Sequence, residues 1–441
     1  MNDRSLLLTD EILRVDGCAP GSGLAKHRKM ATSPFVFLRG AAQIFYADLG
    51  NAVLRLPPAL YELPLTPVMG DCHVSNFGFL TEEGSHGDRV IFAPNDFDDA
   101  CFGHAAWDLA RFGVSLLLCA EHCRGLAAGR YPGEKEFQGK PAVEPAQARA
   151  ALESFLQTYL ATCATDDETR KHHDWVLGNF DKKHILAKSY RKAVDRAFGG
   201  KDFARKSALA KAVNLEQRPL RFRALPERFA PVPDDLYRDV EYHLAPYMDD
   251  RILDVTERLG AGTGSHNMRR FYLLVGPPET PEPEDLFLCH VVEVKQQRRA
   301  APLHWFPHLH PANRLGPAHL TVVCQRRMQR DPDLLLDELE WHGAHWLIRS
   351  RHHARVGIDP EDIGLGKRAV DKGGFEQYAR ACGRALALTH ARGDRRSTRF
   401  EQAVRAILPD TMEGLTEAIE DYARLVAADC AWLADLESTD G

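Results

Sequence analysis

Two acidic clusters hold the residues of this chain best suited to chemistry. Gly70-Asp71-Cys72-His73-Val74-Ser75-Asn76 sets an aspartate five residues before an asparagine, and Asn95-Asp96-Phe97-Asp98-Asp99 follows about twenty residues later. Phosphoryl transfer needs few parts: a carboxylate to orient or deprotonate the acceptor, a carboxylate and an amide to hold a divalent cation on the phosphates, and a lysine with backbone N–H groups to steady the rest. An Asp and an Asn five apart have the spacing of kinase-type catalytic loops, in which a second metal-binding Asp, followed by Phe, comes later on a strand. Asp71 is therefore the expected base, and Asn76 and Asp96 are the expected Mg²⁺ ligands, with Asp98 available as another. Crowded carboxylates raise one another's pKa values unless a cation neutralises them, so the density of this cluster favours a metal. The competing reading is an Asx-rich turn with no ligand; the joint spacing makes it the weaker one.

Hydrophobic patterning names the elements that must hold these groups. A helix is expected over 40–49. Phe77–Leu80 and Arg89–Ala93 read as two strands joined by the polar turn 81–88, a hairpin that delivers Asp96. Gly103 to Arg111 opens a long apolar helix through about Cys123, and 125–145 reads as an exposed loop. A helical pattern runs from 145 to 213. Within it, 182–211 carries ten Lys/Arg against Asp195 and Asp202, a solvated face in preference to a wall for an anionic substrate. Residues 214–250 are interrupted by prolines and link two lobes.

The pattern then turns to strands: 252–259, the glycine loop Gly260-Ala261-Gly262-Thr263-Gly264-Ser265, 271–275, a Pro-rich turn, and 286–295 ending Val292-Glu293-Val294-Lys295. A glycine loop between strands followed by V-x-V-K is how kinase-type sites cover phosphates and present their lysine. Gly260, Gly262, Thr263, Gly264 and Ser265 are thus expected on the phosphates of ATP, with Lys295 as the phosphate lysine. This unit follows Asp71 by about 190 residues, whereas in an ordinary kinase it comes first, so the order implies circularly permuted lobes. Pro317–Gln329 and Pro332–Trp341 read as helices, Trp346–Arg349 as a strand, and 375–391, 399–407 and 412–436 as helices. The expected class is α+β, divided into a helical catalytic lobe (1–245), a β-rich nucleotide lobe (246–355) and a helical segment (356–441) packing back on the first.

At 441 residues the chain is too long for one core. Its 44 % hydrophobic and 27 % charged composition suits a globular protein, and a net charge of −6 supplies no basic field for nucleic acid or membrane. No apolar run of eighteen residues and no signal-peptide pattern is present. The ten cysteines lack CxxC spacing, which points to free thiols in a reducing cytoplasm.

Gly70-Asp71-x-His73-x-x-Asn76, then Asp96-Phe97-Asp98-Asp99-Ala100, then Gly103-x-x-x-Trp107-Asp108-Leu109-Ala110-Arg111 resemble the aminoglycoside-phosphotransferase branch of the protein-kinase-like superfamily. Gly383-Arg-Ala-Leu-Ala-Leu-Thr-His390 resembles that branch's helix before the catalytic loop, displaced toward the C-terminus as permutation requires. Nearly the whole chain resembles the bacterial family called domain of unknown function 2252, on Met30-x-x-Ser33-Pro34-Phe35-x-Phe37-x-Arg39-Gly40, the Asp71 and Asp96 blocks, Trp107-Asp108-Leu109, the Gly260 loop, Val323-x-Gln325-Arg326-x-Met328-Gln329 and Leu388-x-His390-Ala391-Arg392. The resemblance implies a two-lobed, circularly permuted protein-kinase-like fold using ATP and Mg²⁺. By it Asp71 is the acceptor-orienting base, Asn76 and Asp96 hold metal, Lys295 meets phosphate and Asp108 braces the loop. Two departures stand out. Gln296 occupies a position where that family usually has Glu, and 296–330 contains no acid, so the usual partner of a kinase lysine is missing nearby; Glu293 or an acid beyond Asp331 is left to serve. The alternatives are nucleotidyl (AMP) transfer on the same site, an inactive nucleotide-binding pseudokinase, and a metallophosphoesterase, whose signature also opens Gly-Asp-x-His but whose later His-rich blocks are absent. The acceptor is a small molecule or protein, with a preference for anions from the basic stretches 182–211 and 296–330.

Overall fold

The computed structural model describes residues 3–164, 171–260, 268–277 and 283–438. It is 51 % helical and 15 % strand, and all its strand pairs run antiparallel, which makes the class α+β.

The helix Ala105–Ala127 is apolar on almost every side and is accordingly buried along nearly its whole length. Pro145–Cys163, Gly374–Ala391 and Arg399–Ser438 pack around it and on one another. The helices Pro145–Cys163 and Gly374–Ala391 approach closely because position 383 has no side chain: a Cβ there would stand 2.5 Å from the Phe155 carbonyl oxygen. The core of this body runs from Leu8 to Leu433, so the early and late parts of the chain share it. Short strands thread the body. β1 (Thr66–Val68) pairs with β4 (Cys101–Gly103), and β2 (Phe77–Thr81) and β3 (Val90–Pro94) form the expected hairpin.

A separate six-stranded sheet follows. Its strands are β5 (Phe229–Ala230), β6 (Arg251–Arg258), β7 (Arg270–Gly276), β8 (His290–Gln297), β9 (Asp337–Trp341) and β10 (Ala344–Ser350), in the order β5-β6-β7-β8-β10-β9; β11 (Val356–Gly357) pairs instead with β2. Alternation sorts its side chains. Phe271, Leu273, Val275, Val292, Val294 and Ile348 face a core closed by Val240 and Leu244 of the helix Asp234–Leu244. A β-bulge between Ile252 and Asp254 lets Ile252 and Val255 join the same face. On the opposite face, Tyr272, Leu274 and Val291 pack on Leu209, Val213 and Leu220. The 214–250 stretch, read from sequence as a linker, thus contributes to both cores of the sheet.

Two helical expectations give way. The stretch 332–341 is not a helix: Asp337–Trp341 is β9, joined to β10 by His342-Gly343, both with positive φ (51° and 68°), the two-residue turn that suits a hairpin twist. The Leu334-Leu335-Leu336 run had suggested helix. In the tail, Pro409 does not divide the chain; one helix spans Arg399–Ser438, held by apolar residues on both sides of the proline. The stretch 182–211 behaves as a solvated face: its lysines and arginines are exposed apart from Arg196, with local pairs such as Lys206–Asp202 (2.9 Å). All ten cysteines are free thiols, and every one but Cys18 is buried. Among the described residues no helix is long and apolar enough to cross a membrane.

Candidate functional site

The loop between β1 and β2 is shaped by the residues around it. Gly70 has φ +74°, and a Cβ there would lie 1.9 Å from the Asp99 carbonyl oxygen, so only glycine allows the two acidic loops to touch. Asp108, fully buried at the start of the Ala105–Ala127 helix, accepts hydrogen bonds from the Met69 and Gly70 amides (2.7 and 3.2 Å) and lies 3.0 Å from His390 Nε2. Tyr159 Oη sits 2.8 Å from the other His390 nitrogen, completing a brace across three helices. Ser115 Oγ accepts the Val74 amide (3.0 Å) and fixes the far end of the loop.

On this frame Arg111 donates to Asp71 Oδ1 from Nε (2.8 Å) and Nη2 (2.5 Å), leaving Oδ2 with only His73 Nε2, at 3.7 Å, among the described residues. His73 Nδ1 accepts the Ser75 amide (3.2 Å). Burial, then the charges of Arg39 and Arg111, hold its pKa well below the usual range, so the ring is neutral with its proton on the nitrogen facing Asp71. Asn76 donates to the Asp71 carbonyl (2.9 Å).

Asp96, Asp98 and Asp99 follow β3. Burial, reinforced by Asp98, raises the Asp96 carboxyl to about 6, against the opposing charge of Lys295. Asp98 goes the other way: burial would raise it, but Lys295 and Arg349 outweigh burial and pull it well below the carboxylate range. It accepts hydrogen bonds from Lys295 Nζ and from Gln297 Nε2 (3.1 Å). Asp99 accepts the Ala301 amide (2.8 Å) and, through burial, is also raised.

Strand alternation supplies the opposite wall. Glu293, Lys295 and Gln297 lie on one face of β8, beside Arg270 on β7 and Arg349 on β10. Asp71, Asn76, Asp96, Asp98 and Lys295 thereby line a single cavity of about 230 Å³, with Arg39, Arg298, Arg351 and Arg355 among its walls. Of the glycine-loop residues, Gly260 follows β6, while Gly262, Thr263, Gly264 and Ser265 lie outside the described residues.

Lys295 does not pair with a glutamate. Glu293, fully buried, meets Arg349 (2.8 Å), Arg270 (3.2 Å) and Arg351 (3.3 Å) instead. Although burial opposes it, these guanidinium groups keep its carboxyl well below the usual range. Arg355 has no side-chain hydrogen bond or ion pair among the described residues; burial, then Arg351 and Arg349, lower it to about 10. Arg39 Nε is buried without a partner. Seven cationic side chains line the cavity against four carboxylates, an excess of positive charge. Most of these arginines escaped the sequence reading. The available signal was period two in Arg349-x-Arg351, which gains meaning only once β10 is paired with β8.

The fold and the cleft define an α+β protein with a mixed-charge cavity between a helical body and an antiparallel sheet. The chain belongs to the family described as uncharacterized protein conserved in bacteria (DUF2252), which matches residues 20–130 and 139–431. No curated protein and no solved structure matches it.

Proposed function

We propose that the protein is an ATP- and Mg²⁺-dependent phosphotransferase with a circularly permuted, protein-kinase-like arrangement of lobes. One observation carries the reading. Asp71, Asn76, Asp96, Asp98 and Lys295 share one cavity, although Lys295 lies 197 residues beyond Asp98.

The donor set fits the cofactors. Asn76, Asp96 and Asp98 offer the hard oxygen ligands Mg²⁺ takes, and a cation would offset the burial and the Asp98 charge that raise Asp96. Unpartnered Arg39 Nε, Arg355 and the arginine surplus suit phosphate oxygens. Mg²⁺ supplies neutralisation of phosphate charge. Asp71, fixed through Oδ1 by Arg111, keeps Oδ2 for the proton of the acceptor hydroxyl as the new oxygen–phosphorus bond forms and ADP departs. With ATP and Mg²⁺ bound, Lys295 would meet phosphate oxygens and Asp98 would be free to hold the cation.

A second reading, transfer of a nucleotidyl group, would use the same cavity and donors, which do not fix which phosphorus of ATP is attacked. Titration calorimetry with ATP, with and without Mg²⁺, tests the common ground. Mg²⁺-dependent binding is expected, lost in Asp96→Ala and Lys295→Ala and retained in Asp71→Ala, which loses turnover. Binding indifferent to both of the first two substitutions would sink the proposal. ATP labelled at the γ or the α phosphate then separates the two transfers by which label reaches the acceptor.

A further inference from the structure

Away from the cleft, three side chains from separate elements meet where the β2–β3 hairpin abuts the sheet. His86 lies in the hairpin turn, Asp249 in the segment before β6, and His290 at the first position of β8. Their ligand atoms all lie within 4.8 Å of one another. His86 Nε2 is 2.6 Å from Asp249 Oδ2, and His290 Nε2 is 3.1 Å from Asp249 Oδ1.

Two further features separate this group from an ordinary surface His–Asp pair. His290 is 4 % exposed, and its Nε2, though near the carboxylate, is not aligned for a hydrogen bond. His353, 3 % exposed, has both ring nitrogens buried without a partner. Burial, then His290, His352 and His86, lower its pKa to about 3, so its ring is a neutral donor within electrostatic reach of the group. Buried polar nitrogens without partners are uncommon and call for a ligand or a reason.

We propose that His86, Asp249 and His290 bind a divalent transition-metal ion, Zn²⁺ by preference. Two imidazoles and one carboxylate form a borderline donor set that suits Zn²⁺ and is poorly matched to Mg²⁺ or Ca²⁺. Bonds of about 2.0–2.1 Å place neighbouring ligands of a tetrahedral ion about 3.3 Å apart, so the observed separations need only small side-chain adjustments. The fourth position falls to water. The ion would tie the turn between Asn76 and Asp96 to the start of the strand that carries Lys295, and so would set how the two walls of the cleft meet. It is a second metal, independent of the phosphotransferase reading.

Chelator-treated full-length protein is titrated with Zn²⁺ by calorimetry and with Co²⁺ by visible absorption, above neutral pH so that the histidines are neutral. One equivalent with tetrahedral Co²⁺ bands is expected, weakened at least about tenfold in both His86→Ala and His290→Gln and retained in Asp96→Ala. His86 is partly exposed, so its substitution tests the site even where His290→Gln misfolds, with circular dichroism reporting the fold. No binding, binding unchanged in folded His86→Ala or folded His290→Gln, or binding lost in Asp96→Ala would overturn the proposal.

Discussion

At Asp96, burial and the neighbouring Asp98 hold the carboxyl at about 6, above its ordinary 3.8. If the proposed function holds, protons and a cation would compete for it in the mildly acidic range. Mg²⁺-dependent ATP affinity is expected to hold above about pH 6 and to fall about tenfold per pH unit below it. Calorimetry across that range checks this, and a flat profile would remove Asp96 from the metal site. The sign for stability is opposite. A carboxyl raised in the folded state takes up a proton on folding between 3.8 and 6, so its contribution to stability declines as pH rises through that window. Asp96→Asn should therefore raise the melting temperature near neutral pH, the expected signature of a residue kept for ligand binding at the expense of stability. Asp71, Asn76 and Asp96 were legible because their spacing is local. Arg270, Arg349, Arg351 and Arg355 were not, because lone arginines scattered along strands reveal nothing until register brings them together.

The β7–β8–β10 face concentrates charge at the element scale. Three arginines converge on Glu293, which no water reaches. Removing one partner of a buried charge network strands the others, at a cost of about 3–5 kcal/mol. Glu293→Gln is expected to lower the denaturant midpoint accordingly and to disorder the wall that presents Lys295; a shift within about 0.5 kcal/mol would show the arginines to be solvated after all. Elements with one strong period were readable from sequence: the β2–β3 hairpin, β6, β7 and the long helix from Ala105, whereas the strand expected over 286–295 begins only at His290, after a 3-10 turn over Pro283–Leu288. The misread stretch was β9, where three leucines imitated a helical face and the decisive signal was the short His342-Gly343 turn. Pro409 misled in the other direction, since packing on both flanks outweighs one lost backbone bond.

Over the whole molecule, the helical core gathers residues from both ends of the chain. On the last helix Val404, Leu408, Leu415, Ile419, Tyr422, Val426 and Leu433 are buried, and Tyr422 Oη donates to the buried Asp48 (2.7 Å). Seven such side chains at about 1.5–3 kcal/mol each rival the entire 5–15 kcal/mol by which domains are stable. A variant lacking 399–438 is expected to be insoluble; soluble, cooperatively unfolding protein would refute the shared core. Sequence patterning marked this tail as helical but not where it docks, because an amphipathic face names no partner. The brace on the 69–76 loop has a consequence in time. Asp108 leaves the ribosome before His390, which closes the brace and is made 282 residues later. Until then the nascent chain carries the acidic motif without the brace that shapes it. Folding of the loop thus waits on a residue made far along the chain, well after the motif itself.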